Sequence, residues 1–167
     1  DASGQEVLYV KQKLFKLKEA IGIFSDRSQT RQLYAINADR IIDFSAKYHF
    51  TDSVSGQPLG AIKRQGMRSI FKAEYNVFDA NDIERLIIKE DNGWIRVADA
   101  VLGEIPIVGM FSGYLFHPSY TMSTLNGQGV MRLTKEPAFF EGKFRLEKLV
   151  DGFGDAEEKA MVLSYLL

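Results

Sequence analysis

The chain has 167 residues, a formal net charge of −1 and no cysteine. The near-neutral charge excludes a global field that would hold nucleic acid, so we expect no nucleic-acid partner. The lack of cysteine excludes disulfides, thiolate catalysis and zinc–thiolate sites. Hydrophobic residues make up 46% and charged residues 26%, which is a globular composition. We therefore expect one domain over residues 1–167, in a reducing cytoplasm.

Short runs rich in β-branched and aromatic residues, separated by turn signals, predict a series of strands. Asn-Gly pairs at 92–93 and 126–127, and the Ser-Gly-Gln-Pro run at 55–58, favour turns between antiparallel neighbours. The spacing of the strands indicates a sandwich or a barrel. The predicted strands cover residues 7–12, 20–24, 32–37, 47–50, 59–65, 72–78, 86–88, 94–97, 119–125, 130–134 and 139–149.

Three segments carry further expectations. Residues 95–103 fit a short helix as well as a strand. Residues 105–116 are apolar but broken by Pro and Gly, which disfavours a continuous helix. They indicate a buried or lid-like connection, or a surface that meets an apolar partner. In 139–149, Phe144 and Leu146 alternate with charged residues, the pattern of a half-buried strand.

The last thirteen residues predict one helix. Asp155 can cap its free N–H groups, and Glu158, three residues on, completes a capping box. Residues 160–167 are apolar around nearly the whole circumference, so either protein or lipid must surround them. At roughly 18 Å the helix is short for a bilayer span, which favours a surrounding ring of strands. A lipid anchor requires a longer natural chain, and the lack of a stop signal leads us to expect residues beyond Leu167.

Candidate catalytic and metal-binding groups do not form recognisable motifs. His49 and His117 have no second ligand at helical spacing, and Ser112 lacks the G-x-S-x-G spacing of a nucleophile elbow. Residues 79–82 resemble the start of a calcium loop but lack its central Gly and final Glu, so a solvated turn is favoured. We predict no enzymatic activity, no cofactor and no metal.

Charge is grouped into blocks along the chain. No acidic residue lies between Asp52 and Glu74, and the basic residues of that interval can hold phosphate oxygens or an anionic membrane surface. The alternative is that they only protect solvated strand edges from pairing with other chains. The candidate ligand-binding residues are Lys63, Arg64, Arg68 and Lys72.

Three stretches resemble the LURP-one-related family of the tubby C-terminal-like superfamily. Residues 9–17 are similar to the opening strand of that family. Residues 48–65 and 69–77 are similar to its strand–turn–strand pattern with a G-x-I strand, a basic bend and an aromatic strand. The apolar helix after 139–149 fits the same layout. The resemblance implies a mainly β fold, a closed antiparallel barrel of about twelve strands around a hydrophobic C-terminal helix.

The resemblance also implies a function. Tubby domains associate with phosphoinositide-containing membranes, and the related phospholipid scramblases share the fold. Lys63, Arg64 and Arg68 occupy a place comparable to the basic residues of tubby. Residues 105–116 have no place in the family pattern, and the acidic calcium motif of scramblases has no counterpart here, which argues against calcium-dependent lipid transport.

Two hypotheses follow. The first is a non-enzymatic module that binds anionic phospholipid, cytoplasmic and peripheral at the inner face of the membrane. The second is a soluble regulatory or scaffolding barrel that binds a protein partner. The two differ in whether the basic block or some other surface meets the ligand.

Overall fold

The computed structural model describes residues 5, 7–13, 20–40, 46–65, 74–91, 118–137 and 143–167, which form ten strands and one helix. The strands are β1 Tyr9–Lys13, β2 Ala20–Phe24, β3 Gln32–Ala38, β4 Lys47–Asp52, β5 Pro58–Arg64, β6 Glu74–Phe78, β7 Glu84–Glu90, β8 Ser119–Thr124, β9 Gly129–Glu136 and β10 Lys143–Lys148. The helix, α1, is Asp155–Ser164.

The strands follow one another in sequence order within one antiparallel sheet, which confirms the mainly β prediction. No pairing joins β10 back to β1 in the described part of the chain, so closure into a barrel is not confirmed. Outside the described residues lie the predicted turn at 92–93, the predicted strand at 94–97, the alternative helix at 95–103 and the apolar segment 105–116.

Two of the predicted turns are present, and their chemistry explains them. Gly127 and Gly56 adopt positive φ angles of 88° and 73°, which a residue without Cβ accepts at no steric cost. At the second turn, the Asp52 carboxylate also accepts the backbone N–H groups of Val54 and Ser55 at 2.9 Å. Aspartate side chains commonly fix a turn in this way.

Described contacts divide the chain into two compact units. The ranges of the first are Asp1–Arg64, Val77–Glu84 and Phe153–Leu167. Its core is a row of cross-strand partners, in which Ile21 lies opposite Ile36 and Ile36 opposite Phe50. All three side chains are buried, so one face of β2, β3 and β4 forms the inner face of this unit.

The second unit comprises Gln65–Asn76 and Arg85–Gly152. In it Ile88 lies opposite Met122, and Met122 opposite Met131, again with all three buried. Glu90, at the end of β7, is a fully buried carboxylate. The prediction of a single domain over residues 1–167 stays a prediction.

A β-bulge separates the two halves of the β4–β5 hairpin. Phe50 lies opposite Gly60, but the next residue, Thr51, lies opposite Pro58, so Leu59 is an extra residue on β5. Gly60 has φ +150°, and a Cβ there would clash with the backbone oxygen of Phe78 and lie 3.5 Å from the Cβ of Ala160. The chain therefore needs glycine where β5 passes the Phe78 carbonyl.

The C-terminal half of α1 is core, as the all-round apolar pattern predicted. Ala160, Met161 and Leu163 are buried, and so is Ser164, whose hydroxyl donates to the carbonyl of Ala160 at 2.7 Å. Leu167 is 40% exposed, so the buried part ends before the last residue. Protein surrounds this half of the helix within the first unit.

The predicted cap of α1 is wrong by one residue. The N-cap is Gly154, and the carboxylate of Glu157, rather than that of Glu158, accepts the Gly154 N–H at 3.0 Å. Gly154 has no side chain, so only this half of a capping box exists. Asp155 instead forms an ion pair with Lys159 one turn on, at 2.5 Å. Glycine is accepted at an N-cap, and the sequence pattern alone did not separate the two positions.

The half-buried pattern predicted for 139–149 is also wrong over the described strand. All six residues of β10 are exposed, with Phe144 at 53% and Leu146 at 38%. β10 has β9 as its one partner among the described strands, because it ends the strand order. The alternation of apolar and charged residues showed that Phe144 and Leu146 share a face of the strand. It did not show whether other residues cover that face.

We predict that Gly60→Ala destabilises the protein by about 3 kcal/mol, because the methyl group adds overpacking to an unfavourable φ. Chemical denaturation of the wild type and the variant measures the difference. Gly56→Ala is the matched control, since φ is also positive there but no atom lies within 4 Å of the added Cβ. We expect about 1 kcal/mol for the control, and equal losses would contradict the role of the close contact.

Candidate functional site

Two of the four predicted ligand-binding residues lie in the described chain, at the end of β5. Lys63 is exposed and Arg64 is half-buried. Successive strand residues point to opposite faces, and Arg64 follows Gly60 and Ile62 on the inner face of the first unit. Arg68 and Lys72 lie outside the described residues. Within β5, therefore, the predicted block is divided between two faces and Lys63 alone stands on the outer one.

Lys47 of β4 is the direct neighbour of Lys63 in the sheet. The two residues are cross-strand partners and so share the outer face. Like charges in this arrangement repel each other. Lys47 is held by other groups: its ammonium forms an ion pair with Asp82 and lies 3.6 Å from the ring centroid of Phe78. These contacts compensate the Lys47 charge, and none of them involves Lys63.

Asp39, just after β3, is the other carboxylate beside this face. It accepts two hydrogen bonds from the Arg40 guanidinium, both at 3.1 Å, and one from the Lys47 N–H at 3.0 Å. The Arg40 hydrogen bonds lower the pKa of Asp39 most, and partial burial opposes them. The Lys47 N–H, the Arg40 charge and the electrostatic interaction with His49 lower the pKa further. The Asp39 charge is thus engaged at the rim of the outer face.

Two residues that the sequence analysis did not assign to the site share the face with Lys63. His49 lies opposite Ala61, two residues before Lys63, and Asn37 of β3 lies opposite His49. Both Asn37 and His49 are exposed. The period-2 position of His49 relative to Lys47 was visible in the sequence, but the register that joins Asn37 and His49 to Lys63 was not.

The outer face of β3, β4 and β5 is thus positive at one end, and we name it the basic face: Asn37, His49, Lys47 and Lys63. The acidic groups beside it, Asp39 and Asp82, are already paired with cations. Lys63 has no hydrogen-bond or ion-pair partner among the described residues. An unpaired ammonium beside other hydrogen-bond donors is suited to an oxyanion such as phosphate.

Residues 79–82 form a self-contained turn, as the sequence analysis favoured. The Asp79 carboxylate accepts the N–H groups of Asn81 at 2.9 Å and Ile83 at 3.0 Å, which closes the turn without a cation. In the described ranges there is no group of three or more His, Cys, Asp or Glu side chains that could hold a metal ion. His117, the second histidine, lies outside those ranges.

The ten residues of α1 are too few to cross a bilayer, and the rest of the described chain contains no other helix suited to a membrane span.

The chain is a mainly β protein with a C-terminal helix and a basic face on three strands. Residues 6–102 match the family described as LURP-one-related, and this match covers more than half of the chain. The protein belongs to the LURP-one-related family, which confirms the resemblance noted in the sequence. The matched range includes β1 to β7 and with them the whole basic face. Comparison with curated proteins finds no match, and neither does comparison with solved structures.

We predict that Asp39→Asn lowers stability at neutral pH by about 0.5 kcal/mol, the scale of a solvent-screened pair. The folded-state pKa of Asp39 lies below its ordinary 3.8, so its contribution is present above that value and is lost as the pH falls through the lower folded pKa. The difference between wild type and variant should therefore shrink in acid. Urea unfolding across a pH series measures it.

Gln57→Ala changes no ionisable group and serves as the control for the pH series. Its difference from wild type should be constant with pH. A difference for Asp39→Asn that grows below pH 3.8 would contradict the direction of the pKa shift.

Proposed function

We propose that this LURP-one-related domain is a non-enzymatic module that binds the headgroups of anionic phospholipids through Lys63 and its neighbours on the basic face. The observation that carries the proposal is the state of Lys63. It is exposed and without a partner in the described chain, while the nearby carboxylates of Asp39 and Asp82 are held by Arg40 and Lys47. A phosphate group is therefore not in competition with a neighbouring acid for Lys63.

The proposal includes a location and an architecture. Anionic lipids give the cytoplasmic leaflet a negative potential that attracts basic surfaces, so the domain would be cytoplasmic and peripheral at the inner face. Arg68 and Lys72, which follow β5 in sequence, would add to the same electrostatic attraction. A closed barrel of about twelve strands around α1 is part of the proposal, since it would hold the basic face on a rigid wall.

We predict that Lys63→Ala lowers partitioning onto anionic vesicles about fivefold at low salt. This is the loss of affinity expected when one basic group near a charged surface is removed. Co-sedimentation with phosphatidylcholine vesicles, with and without added phosphatidylserine or a phosphoinositide, measures the partition coefficient. Binding should weaken as salt is raised, because ions screen the attraction.

Lys89→Ala is the matched control for this measurement. Lys89 is also an exposed strand lysine, and its removal changes the net charge equally, but it pairs with Glu74 at 3.3 Å. The control should bind as wild type does. Equal losses for the two variants, or no binding of the wild type to anionic vesicles, would contradict the proposal.

The second candidate is a soluble regulatory or scaffolding protein that binds a protein partner. The observation in its favour is β10, an exposed strand at the end of the described strand order with Phe144 and Leu146 on one face. Their cross-strand partners are Lys135 and Leu133. An exposed strand with an apolar face can receive a further strand from another chain.

For this candidate we predict that Phe144→Ser/Leu146→Ser abolishes capture of specific proteins without changing vesicle binding. Quantitative affinity enrichment compares this variant with wild type. Val54→Ser/Ile83→Ser, which removes two exposed apolar residues of the first unit, is the control. A protein lost with the β10 variant and retained with the control would support the candidate, and identical captured sets would reject it.

A further inference from the structure

Three exposed polar side chains lie in adjacent register positions on the basic face. Asn37 is directly opposite His49 across β3 and β4, and His49 is diagonal to Lys63 across β4 and β5. Directly opposed residues have Cβ atoms about 5 Å apart, and diagonal ones about 7 to 8 Å. Ala61, directly opposite His49, carries only a methyl group and is buried, so neighbouring side chains cover it while His49 and Lys63 stay exposed. The side chains can converge on one small ligand.

The hydrogen-bonding capacity of these three groups is unused within the described chain. The neighbouring polar groups bond to one another instead: Lys47 to Asp82, and Arg40 to Asp39. For Asn37, His49 and Lys63 the described residues provide no side-chain partner. An amide, an imidazolium and an ammonium can all donate to an anion.

We propose that Asn37 and His49 join Lys63 in one phosphomonoester-binding site, and that protonation of His49 strengthens binding as the pH falls. This inference rests on the proposed function and adds its ligand class and its pH response. A phosphomonoester presents three terminal oxygens, one for each donor, whereas a phosphodiester presents two. Histidine is the side chain that gains charge between about pH 8 and pH 5.

Charged groups around His49 act in both directions. The positive groups beside it are Lys47 on β4, which is paired with Asp82 of the β6–β7 turn, and Lys63 on β5. Asp39, after β3, carries a negative charge that interacts with His49 electrostatically, and it is paired with the positive Arg40. A bound phosphate adds negative charge beside the ring. By linkage, the ligand then binds the protonated site more tightly.

The test uses vesicles that contain phosphatidic acid, a phosphomonoester, and matched vesicles that contain phosphatidylserine, a phosphodiester. The charge of the monoester itself changes near pH 6, so each affinity is divided by that of His49→Gln under the same conditions. We expect the ratio of wild type to His49→Gln to rise about fivefold between about pH 7.5 and pH 5.5 for phosphatidic acid. It should rise less for phosphatidylserine.

Two further variants separate charge from hydrogen bonding. His49→Arg carries a permanent charge, so its ratio to His49→Gln should be high and nearly constant with pH. Asn37→Ala should weaken binding about threefold at both pH values. Asn126→Ala, in the β8–β9 turn of the second unit, is the matched control and should have no effect.

The results distinguish a failure of this inference from a failure of the proposed function. A loss with Lys63→Ala at pH 7.5, together with identical pH profiles for wild type and His49→Gln, would retain the proposed function and overturn this inference. So would an Asn37→Ala affinity equal to that of Asn126→Ala. Shifts of the His49 ring resonances on titration with glycerol 3-phosphate, without vesicle binding, would support the site but reject a lipid as its source. No shift and no vesicle binding would overturn both proposals.

Discussion

The close approach of Gly60 on β5 to the backbone of Phe78 is the constraint on which the first unit depends. Gly60 is pressed against the backbone of Phe78 and lies next to Ala160, and its φ angle is one that residues with a Cβ rarely adopt. The bulge at Leu59 lies directly before this point. Because a bulge adds one residue to one strand only, it reverses the face of every residue on one side of it. The inner and outer faces of β5 are therefore set here.

The basic face is a consequence of that register. Lys63 lies beside Lys47 and near His49 only because Phe50 pairs with Gly60 rather than with Leu59. Without the bulge, Lys47 would face Ile62, and Lys63 would share a face with Phe50 in the core. The pairing of Lys47 with Asp82 then reduces the repulsion between two lysines that the register brings together. The bulge at Leu59 thus sets both the packing at Gly60 and the positions of the two lysines on the outer face.

The last strand, β10, and the helix α1 show how far the periodicity of apolar residues predicts burial. For α1, apolar residues around the whole circumference predicted burial, and the structure buries Ala160, Met161 and Leu163 because no face of that half is polar. For β10, the alternation of Phe144 and Leu146 predicted one shared face and a half-buried strand, but both residues are exposed. Alternation describes the strand itself, whereas burial depends on what lies against it.

The sequence by itself determined the ten described strands, the turns at Gly56 and Gly127, the C-terminal helix and the family, because these depend on local residue preferences and on motifs. It also identified Lys63 as a candidate, since an interval without acids is a local property. Only the tertiary structure decided that Arg64 belongs to the opposite face and that Asn37 and His49 accompany Lys63. Strand register decides which side chains meet, and a single extra residue at a bulge changes it without a recognisable signal in the composition of the chain.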